Sequence, residues 1–363
     1  MSDTRLAELV LAVVRRNPGD VRRLAARGEV RPAALARACR ESDVHPWVHH
    51  LLTHDSPRSV GDAAVAALAA SRRKVRDDTM LLLAHAERAL DALLAAGVVP
   101  IALKGLDFLH RLYPRVDLRA TDDVDLLIRR RDLKLALDAL RGVGWLLPAH
   151  DKATHYVRSS HHLPLHSPGA LRVDLELHWN LAQERRYTID PDGLFDRALP
   201  LDVAGRSILR LGDEDIVAHL LIHHFSHYFD RRLKWLVDLQ RVEEARPIDW
   251  PAVARRLREW SGTAAAGISL MHLRKLDPAL IPPHAVAELD VAGWRRVLTW
   301  PLRSSHPLEL FRGTRRRRTQ LYLAAVMIEH PSQLPGWLRH RARRGDDPAD
   351  NPLDDHSRSA MTG

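Results

Sequence analysis

Residues 123–128 read DVDLLI, two acidic residues one position apart and then a run of branched apolar residues. A short apolar run preceded by polar residues predicts a buried β-strand. Because side chains alternate along a strand, Asp123 and Asp125 are expected to project to the same side. Carboxylates held this close repel each other unless one is protonated or a cation lies between them. Oxygen-only ligands favour Mg²⁺ or Mn²⁺, so the stretch predicts a strand that carries a metal.

A third acid is available on a second strand. Residues 171–179 alternate strictly between apolar and polar side chains, with Asp174, Glu176 and His178 on the polar face. A carboxylate here would complete a two-metal site, in which one cation activates an attacking hydroxyl and the other binds phosphates. Asp-x-Asp alone is a weak motif among 46 acidic residues, and solvated acids at a turn remain the alternative.

The rest of the chain places this segment between helices. Apolar residues recur three and four apart over residues 1–96, which is the spacing of a helix. The same spacing is found again from about residue 190. Further strands are predicted at 98–103 and 143–147, and further helices at 77–96, 213–229, 233–244 and 251–260. The sequence therefore predicts an α+β fold, with a small mixed β-sheet core embedded between N-terminal and C-terminal helical regions.

These patterns divide the 363 residues into four segments. Residues 1–79 form an N-terminal helical region, 80–185 the α/β core and 186–338 a C-terminal helical domain. Residues 339–363 are Arg-rich and then Asp/Pro/Ser-rich, which predicts a disordered tail.

Composition excludes several classes of protein. The single cysteine, Cys39, excludes a disulfide framework and a cysteine-based zinc site. No signal-like N-terminus or membrane-length apolar run is seen, which predicts a cytoplasmic protein without a membrane partner. The net charge of +9 suits an anionic substrate. Nucleic acid is not favoured, because the tract at 315–318 reads equally well as a solvated helix face.

Histidines form two further groups. His219, His223 and His227 recur every four residues and would share one helix face. Three imidazoles there could bind zinc, but hydrogen-bonded or solvated histidines are the stronger interpretation. His161 and His162 are adjacent, so they are expected on opposite faces of a strand, which argues against a shared metal.

The order of several short motifs resembles a known family. The string is LKG at 103–105, LYP at 112–114, Arg119, DVDLLI, GW at 144–145, ELHW at 176–179 and LKWLVDL at 233–239. It resembles the uncharacterised bacterial nucleotidyltransferase family of the DNA polymerase β-like superfamily, over roughly residues 80–245. The combined string is fairly specific, although each piece alone is weak.

The resemblance implies an enzyme that moves a nucleoside monophosphate from a nucleoside triphosphate to an acceptor hydroxyl and releases pyrophosphate. ATP is the first expectation for the triphosphate, and the choice of nucleotide is left open. Asp123 and Asp125 match the metal-binding pair for Mg²⁺ or Mn²⁺, and Glu176 matches the third acid better than Asp174 does. Glu176 is also expected to help deprotonate the acceptor. The acceptor is open: a small molecule, a peptide or a protein.

Contacts to the nucleotide are expected from five residues. Lys104 and Gly105 stand where the superfamily usually has Gly-Ser. The lysine would place a positive charge beside the phosphate, and the glycine would let the backbone approach it closely. Arg119 would contact phosphate bidentately. Lys234 and Asp238 either lie near the nucleotide or form a helix-surface pair. The Lys-Gly departure and the large helical regions keep an alternative open, a catalytically inactive nucleotide-binding or adaptor protein of the same fold.

Overall fold

The computed structural model describes residues 2–54, 60–169, 171–183, 186–227 and 232–289. Its helices are α1 Asp3–Val14, α2 Pro18–Ala25, α3 Pro32–Glu41, α4 His45–His54, α5 Asp62–Ala95, α6 Lys104–Arg111, α7 Leu133–Gly142, α8 His150–Ser159, α9 Pro191–Asp196, α10 Asp213–Ser226, α11 Lys234–Ala245, α12 Trp250–Glu259, α13 Thr263–Leu276 and α14 Pro283–Glu288. Its strands are β1 Ile101–Ala102, β2 Asp123–Leu127, β3 His162–His166, β4 Asp174–His178, β5 Leu199–Val203 and β6 Arg206–Arg210.

The six strands form one mixed sheet in the order β3-β4-β2-β1-β6-β5. The pairs β2–β4 and β1–β6 are parallel, whereas β1–β2, β3–β4 and β5–β6 are antiparallel. The α+β fold with a small mixed sheet among helices is confirmed. A parallel β2–β4 pair sets the two acid-bearing strands side by side and pointing the same way.

The two faces of the sheet pack differently. Val124 and Leu126 of β2 belong to an apolar cluster with Leu175 and Leu177 of β4, and with residues of α5 and α7. Leu127 belongs to a second cluster, which gathers residues from α1–α4, α10, α11, α12 and α13. Alternation therefore turns Asp123 and Asp125 away from the first cluster, toward the side on which α10 and α11 lie.

Strand content beyond residue 185 was missed by the sequence patterns. β5 and β6 form a hairpin whose turn residues, Ala204 and Gly205, both have positive φ (51° and 81°). Such a turn suits the right-handed twist of paired strands, but only the second residue is a glycine, so the usual two-residue signal is incomplete. The predicted strand at 143–147 is only a single bridge between Leu146 and His166.

The observed helices differ from the predicted ones mainly in where they begin and end. The predicted helix at 77–96 is the second half of α5, which is 34 residues long. Within the described ranges, no helix combines the length and apolar character needed to cross a membrane. The tract at 315–318, the tail at 339–363 and the last part of the predicted C-terminal domain lie outside the described residues.

Candidate functional site

The β2–β4 register brings two of the predicted acids together. Asp125 lies opposite Glu176, and Asp123 lies opposite Asp174. Asp174 is engaged elsewhere: its Oδ1 is 2.8 Å from His166 Nδ1 and accepts a hydrogen bond from Arg172 Nε at 2.8 Å. Glu176 is therefore the acid of β4 that lies nearest Asp125.

Two cationic side chains hold the Asp125 carboxylate. Lys104 Nζ lies 3.0 Å from Oδ2, and His178 Nε2 lies 2.9 Å from Oδ1. The same His178 nitrogen is 3.2 Å from Glu176 Oε2. The Asp125 side chain is 3% exposed and that of Glu176 is 30% exposed. Asp125 is thus the buried centre of the cluster, and Glu176 is its solvent-reaching member.

The charges of the cluster shift its pKa values in opposite directions. Burial works to raise the pKa of Asp125, but Lys104 and His178 outweigh it and hold that pKa well below its usual range. Burial and the charges of Asp125 and Glu176 raise the pKa of Asp123 to about 7. Burial opposes the protonation of His178, yet its hydrogen bonds to the two carboxylates raise its pKa to about 9. Negative charge is therefore in surplus around Asp123.

Lys104 and Gly105 begin α6, directly after β1. Lys104 has a positive φ of 34°, a backbone conformation that side chains with a Cβ rarely adopt. A Cβ on Gly105 would lie 2.6 Å from Thr121 Cγ2 and 3.4 Å from Arg119 Nη1. The glycine therefore permits close packing of the start of α6 on the chain segment that precedes β2.

Arg119 and Asp238 are partners of each other. Arg119 donates from Nε and Nη2 to the two Asp238 oxygens at 2.8 and 2.9 Å, and Tyr113 Oη donates to Asp238 Oδ1 at 2.8 Å. Both charged side chains are buried. Lys234, one helical turn before Asp238, instead pairs with Asp43 at 2.5 Å. Lys234 and Asp238 do not form the helix-surface pair that was one interpretation of their spacing.

Histidines surround the acids in larger number than the sequence patterns indicated. One ring nitrogen from each of His161, His162 and His178 lies within 4.8 Å of the other two. The expectation that His161 and His162 would diverge is wrong, because His161 precedes β3 and is not part of it. His219 of α10 interacts electrostatically with Lys104, His178 and Asp125.

His178 is the functional candidate that the sequence reasoning missed. It stands two residues after Glu176 on the same polar face of β4, so the alternation already placed it beside the acids. Its role depends on Asp125, which is 53 residues away in the chain. Alternation along a strand shows which side chains share one face of that strand. It does not show which residue of a neighbouring strand lies beside them.

The donor set fits a divalent cation. Asp125, Glu176 and His178 place one ligand atom each within 4.8 Å of the others, and Asp123 lies on the same face of β2. Carboxylate oxygens are the ligands that Mg²⁺ and Mn²⁺ prefer. A cation here would neutralise the surplus charge that raises the Asp123 pKa.

The family model described as an uncharacterised nucleotidyltransferase matches residues 28–276. The chain belongs to this family. The match includes α3 and α4 before the sheet and α10–α13 after it, so the family's common region is wider than the motif string at 80–245. Membership supports a nucleotidyltransferase activity, and the acidic and histidine cluster is compatible with it. Neither the curated proteins nor the solved structures that were searched contain a match.

Proposed function

We propose that this nucleotidyltransferase moves a nucleoside monophosphate from a nucleoside triphosphate to an acceptor hydroxyl, using Mg²⁺ or Mn²⁺ held by Asp123, Asp125 and Glu176. The observation that carries the proposal is the β2–β4 register, which sets Asp125 beside Glu176. Asp123 lies two residues before Asp125 on the same face. A bound cation would neutralise charge on the triphosphate and on the leaving pyrophosphate.

Two residues of the cluster are assigned roles in the transfer, one at the proton of the acceptor hydroxyl and one at the triphosphate. The bond from the α-phosphorus to the bridging oxygen breaks, the acceptor oxygen forms the new bond, and pyrophosphate leaves. We assign the acceptor's proton to Glu176, because its side chain is 30% exposed whereas that of its neighbour Asp125 is 3% exposed. We assign Lys104 to the triphosphate, because its ammonium group lies 3.0 Å from Asp125.

The remaining predicted nucleotide contacts take supporting roles in this proposal. Arg119 and Asp238 satisfy each other's charges, and the guanidinium packs against Gly105 at the start of α6. Lys234 is held by Asp43. We therefore propose that Arg119, Lys234 and Asp238 position the Lys104–Gly105 segment and α11. Gly105, which has no side chain, would let the backbone approach the triphosphate closely.

The reaction is tested with the purified full chain, Mg²⁺ or Mn²⁺, and each nucleoside triphosphate labelled at the α-phosphate, ATP first. Pooled hydroxyl acceptors cover small molecules, peptides and proteins. We expect transfer of label with release of pyrophosphate, and loss of both in Asp125→Asn, which removes a charge with little change of shape. The matched control is Asp174→Asn, on the same strand face but paired with Arg172, and we expect it to retain transfer. Equal transfer by wild type and Asp125→Asn would refute the assignment.

One observation favours a second candidate, an inactive nucleotide-binding protein of the same fold. Lys104 and His178 together engage both oxygens of Asp125, so the carboxylate already has two cationic partners. Under this alternative the chain binds a triphosphate and releases no pyrophosphate with any acceptor. We favour the enzyme and a cytoplasmic location, where nucleoside triphosphates are held.

A further inference from the structure

Three histidines meet beside Glu176, and two of them, His161 and His162, have no role in the proposed reaction. His162 begins β3 and lies opposite His178, the last residue of β4. His161 directly precedes His162, and its carbonyl accepts a hydrogen bond from the Trp179 backbone N–H at 2.9 Å. The chain therefore fixes all three residues at one end of the β3–β4 pair.

The spacing of their nitrogens suits a tetrahedral cation. A metal–nitrogen distance of about 2.0–2.1 Å and a tetrahedral angle place two ligand nitrogens about 3.3 Å apart. His162 Nδ1 and His161 Nε2 are 3.4 Å apart. One ring nitrogen of His178 lies within 4.8 Å of one nitrogen of each of the other two rings.

A carboxylate orients the second ring nitrogen of His178, as is usual for metal-bound histidines. His178 Nε2 lies 2.9 Å from Asp125 Oδ1, which leaves Nδ1 for a ligand. That Nδ1 is buried and has no hydrogen-bond partner among the described residues. His162 Nε2 is 3.8 Å from Glu176 Oε1, with His162 Nδ1 turned toward His161. A buried ring nitrogen without a partner is costly, and a cation removes that cost.

We propose that His161, His162 and His178 bind a transition-metal dication of the Zn²⁺ class, at a site next to the carboxylates but separate from their Mg²⁺ or Mn²⁺. Imidazole ligands select such ions over Mg²⁺. Three protein ligands leave a fourth position for water or a substrate oxygen. The site does not depend on nucleotide transfer.

The test uses the full chain freed of metal by a chelator and titrated with Co²⁺, which replaces Zn²⁺ and absorbs visible light when bound by nitrogen. We expect one bound ion, and a dissociation constant at least about tenfold higher in His161→Gln and His162→Gln. The matched control is His166→Gln, on the same face of β3 but paired with Asp174, and its affinity should equal that of wild type. Far-ultraviolet circular dichroism checks that each variant is folded.

A second measurement needs no variant. Cu²⁺ bound to the wild-type chain should give an electron paramagnetic resonance spectrum split by imidazole nitrogens. Absence of that splitting, absence of Co²⁺ absorption, or wild-type Co²⁺ affinity in both histidine variants would overturn the proposal. No nucleotide is present in either measurement, so a negative result does not contradict the transfer reaction. The metal measurements use chains with Asp125 intact, so loss of transfer in Asp125→Asn does not contradict the metal site.

Discussion

Lys104 is the ammonium group that neutralises Asp125, and replacing it with methionine tests how the buried carboxylate is stabilised. The two charges are 3.0 Å apart, and their side chains are 13% and 3% exposed. With an effective dielectric constant of about 20, their attraction is about 5 kcal/mol. Methionine keeps the length of the side chain and removes the charge. His178 remains on the other oxygen, so we expect the free energy of unfolding to fall by about 3 kcal/mol.

Mg²⁺ should reverse part of this loss. The cation and the Lys104 ammonium compete for the same carboxylate, so removal of the lysine should strengthen metal binding in the absence of nucleotide. At a Mg²⁺ concentration about 100 times its dissociation constant, binding adds about 2.7 kcal/mol to stability. We therefore expect Mg²⁺ to stabilise Lys104→Met more than it stabilises wild type.

Urea unfolding followed by circular dichroism, with chelator or with Mg²⁺, measures the loss of stability and its reversal by Mg²⁺. Urea is uncharged, so it does not screen the ion pair. The matched control is Lys134→Met, which breaks a 2.7 Å pair with Asp138 that is exposed to solvent; its unfolding free energy should not change measurably. The reasoning is refuted if Lys104→Met is as stable as wild type in chelator, or if Mg²⁺ stabilises both proteins equally.

Three further predictions concern the surroundings of the site. Gly105→Ala should destabilise the fold by about 1–3 kcal/mol, because the new methyl group would lie 2.6 Å from Thr121 Cγ2; adding Thr121→Ser removes that methyl and should restore most of the thermal midpoint. Asp238→Asn should cost about 3–5 kcal/mol in urea unfolding, since it leaves a buried guanidinium uncompensated; a loss below 1 kcal/mol would contradict that estimate. Burial works to raise the pKa of Asp43, but Lys234 outweighs it and lowers that pKa below its ordinary 3.8. A lowered carboxyl pKa stabilises the fold above pH 3.8 and loses its effect as the pH falls further. The stability advantage of wild type over Asp43→Asn should therefore be constant near neutral pH and shrink in acid, and an advantage that grows in acid would reverse the sign.

The local patterns predicted much of the acid-bearing sheet. Alternation over 171–179 and the DVDLLI run gave both strands within a few residues, and they placed Asp123 with Asp125 and Glu176 with His178. Both patterns are visible in the sequence because one face of each strand packs on an apolar cluster, which requires apolar residues at alternate positions. The β5–β6 hairpin was missed because its turn lacks the usual pair of residues.

Several contacts depend on residues that are far apart in the chain. Arg119 and Asp238 are separated by 119 residues. The sequence suggested a phosphate contact for Arg119, and for Asp238 a place near the nucleotide or a helix-surface pair with Lys234. The convergence of His161 and His162 depends on where β3 begins and on the hydrogen bond from Trp179. Neither fact follows from periodicity.

The sequence by itself determined which side chains share a face, because the backbone of a strand repeats every two residues wherever the strand lies. Only the tertiary structure decided that β2 and β4 are parallel neighbours with Asp125 opposite Glu176. It also decided that Lys104 and His178 neutralise Asp125. Those outcomes depend on burial of both sheet faces and on pairing across the chain, and such long-range packing energies leave no fixed spacing in the sequence.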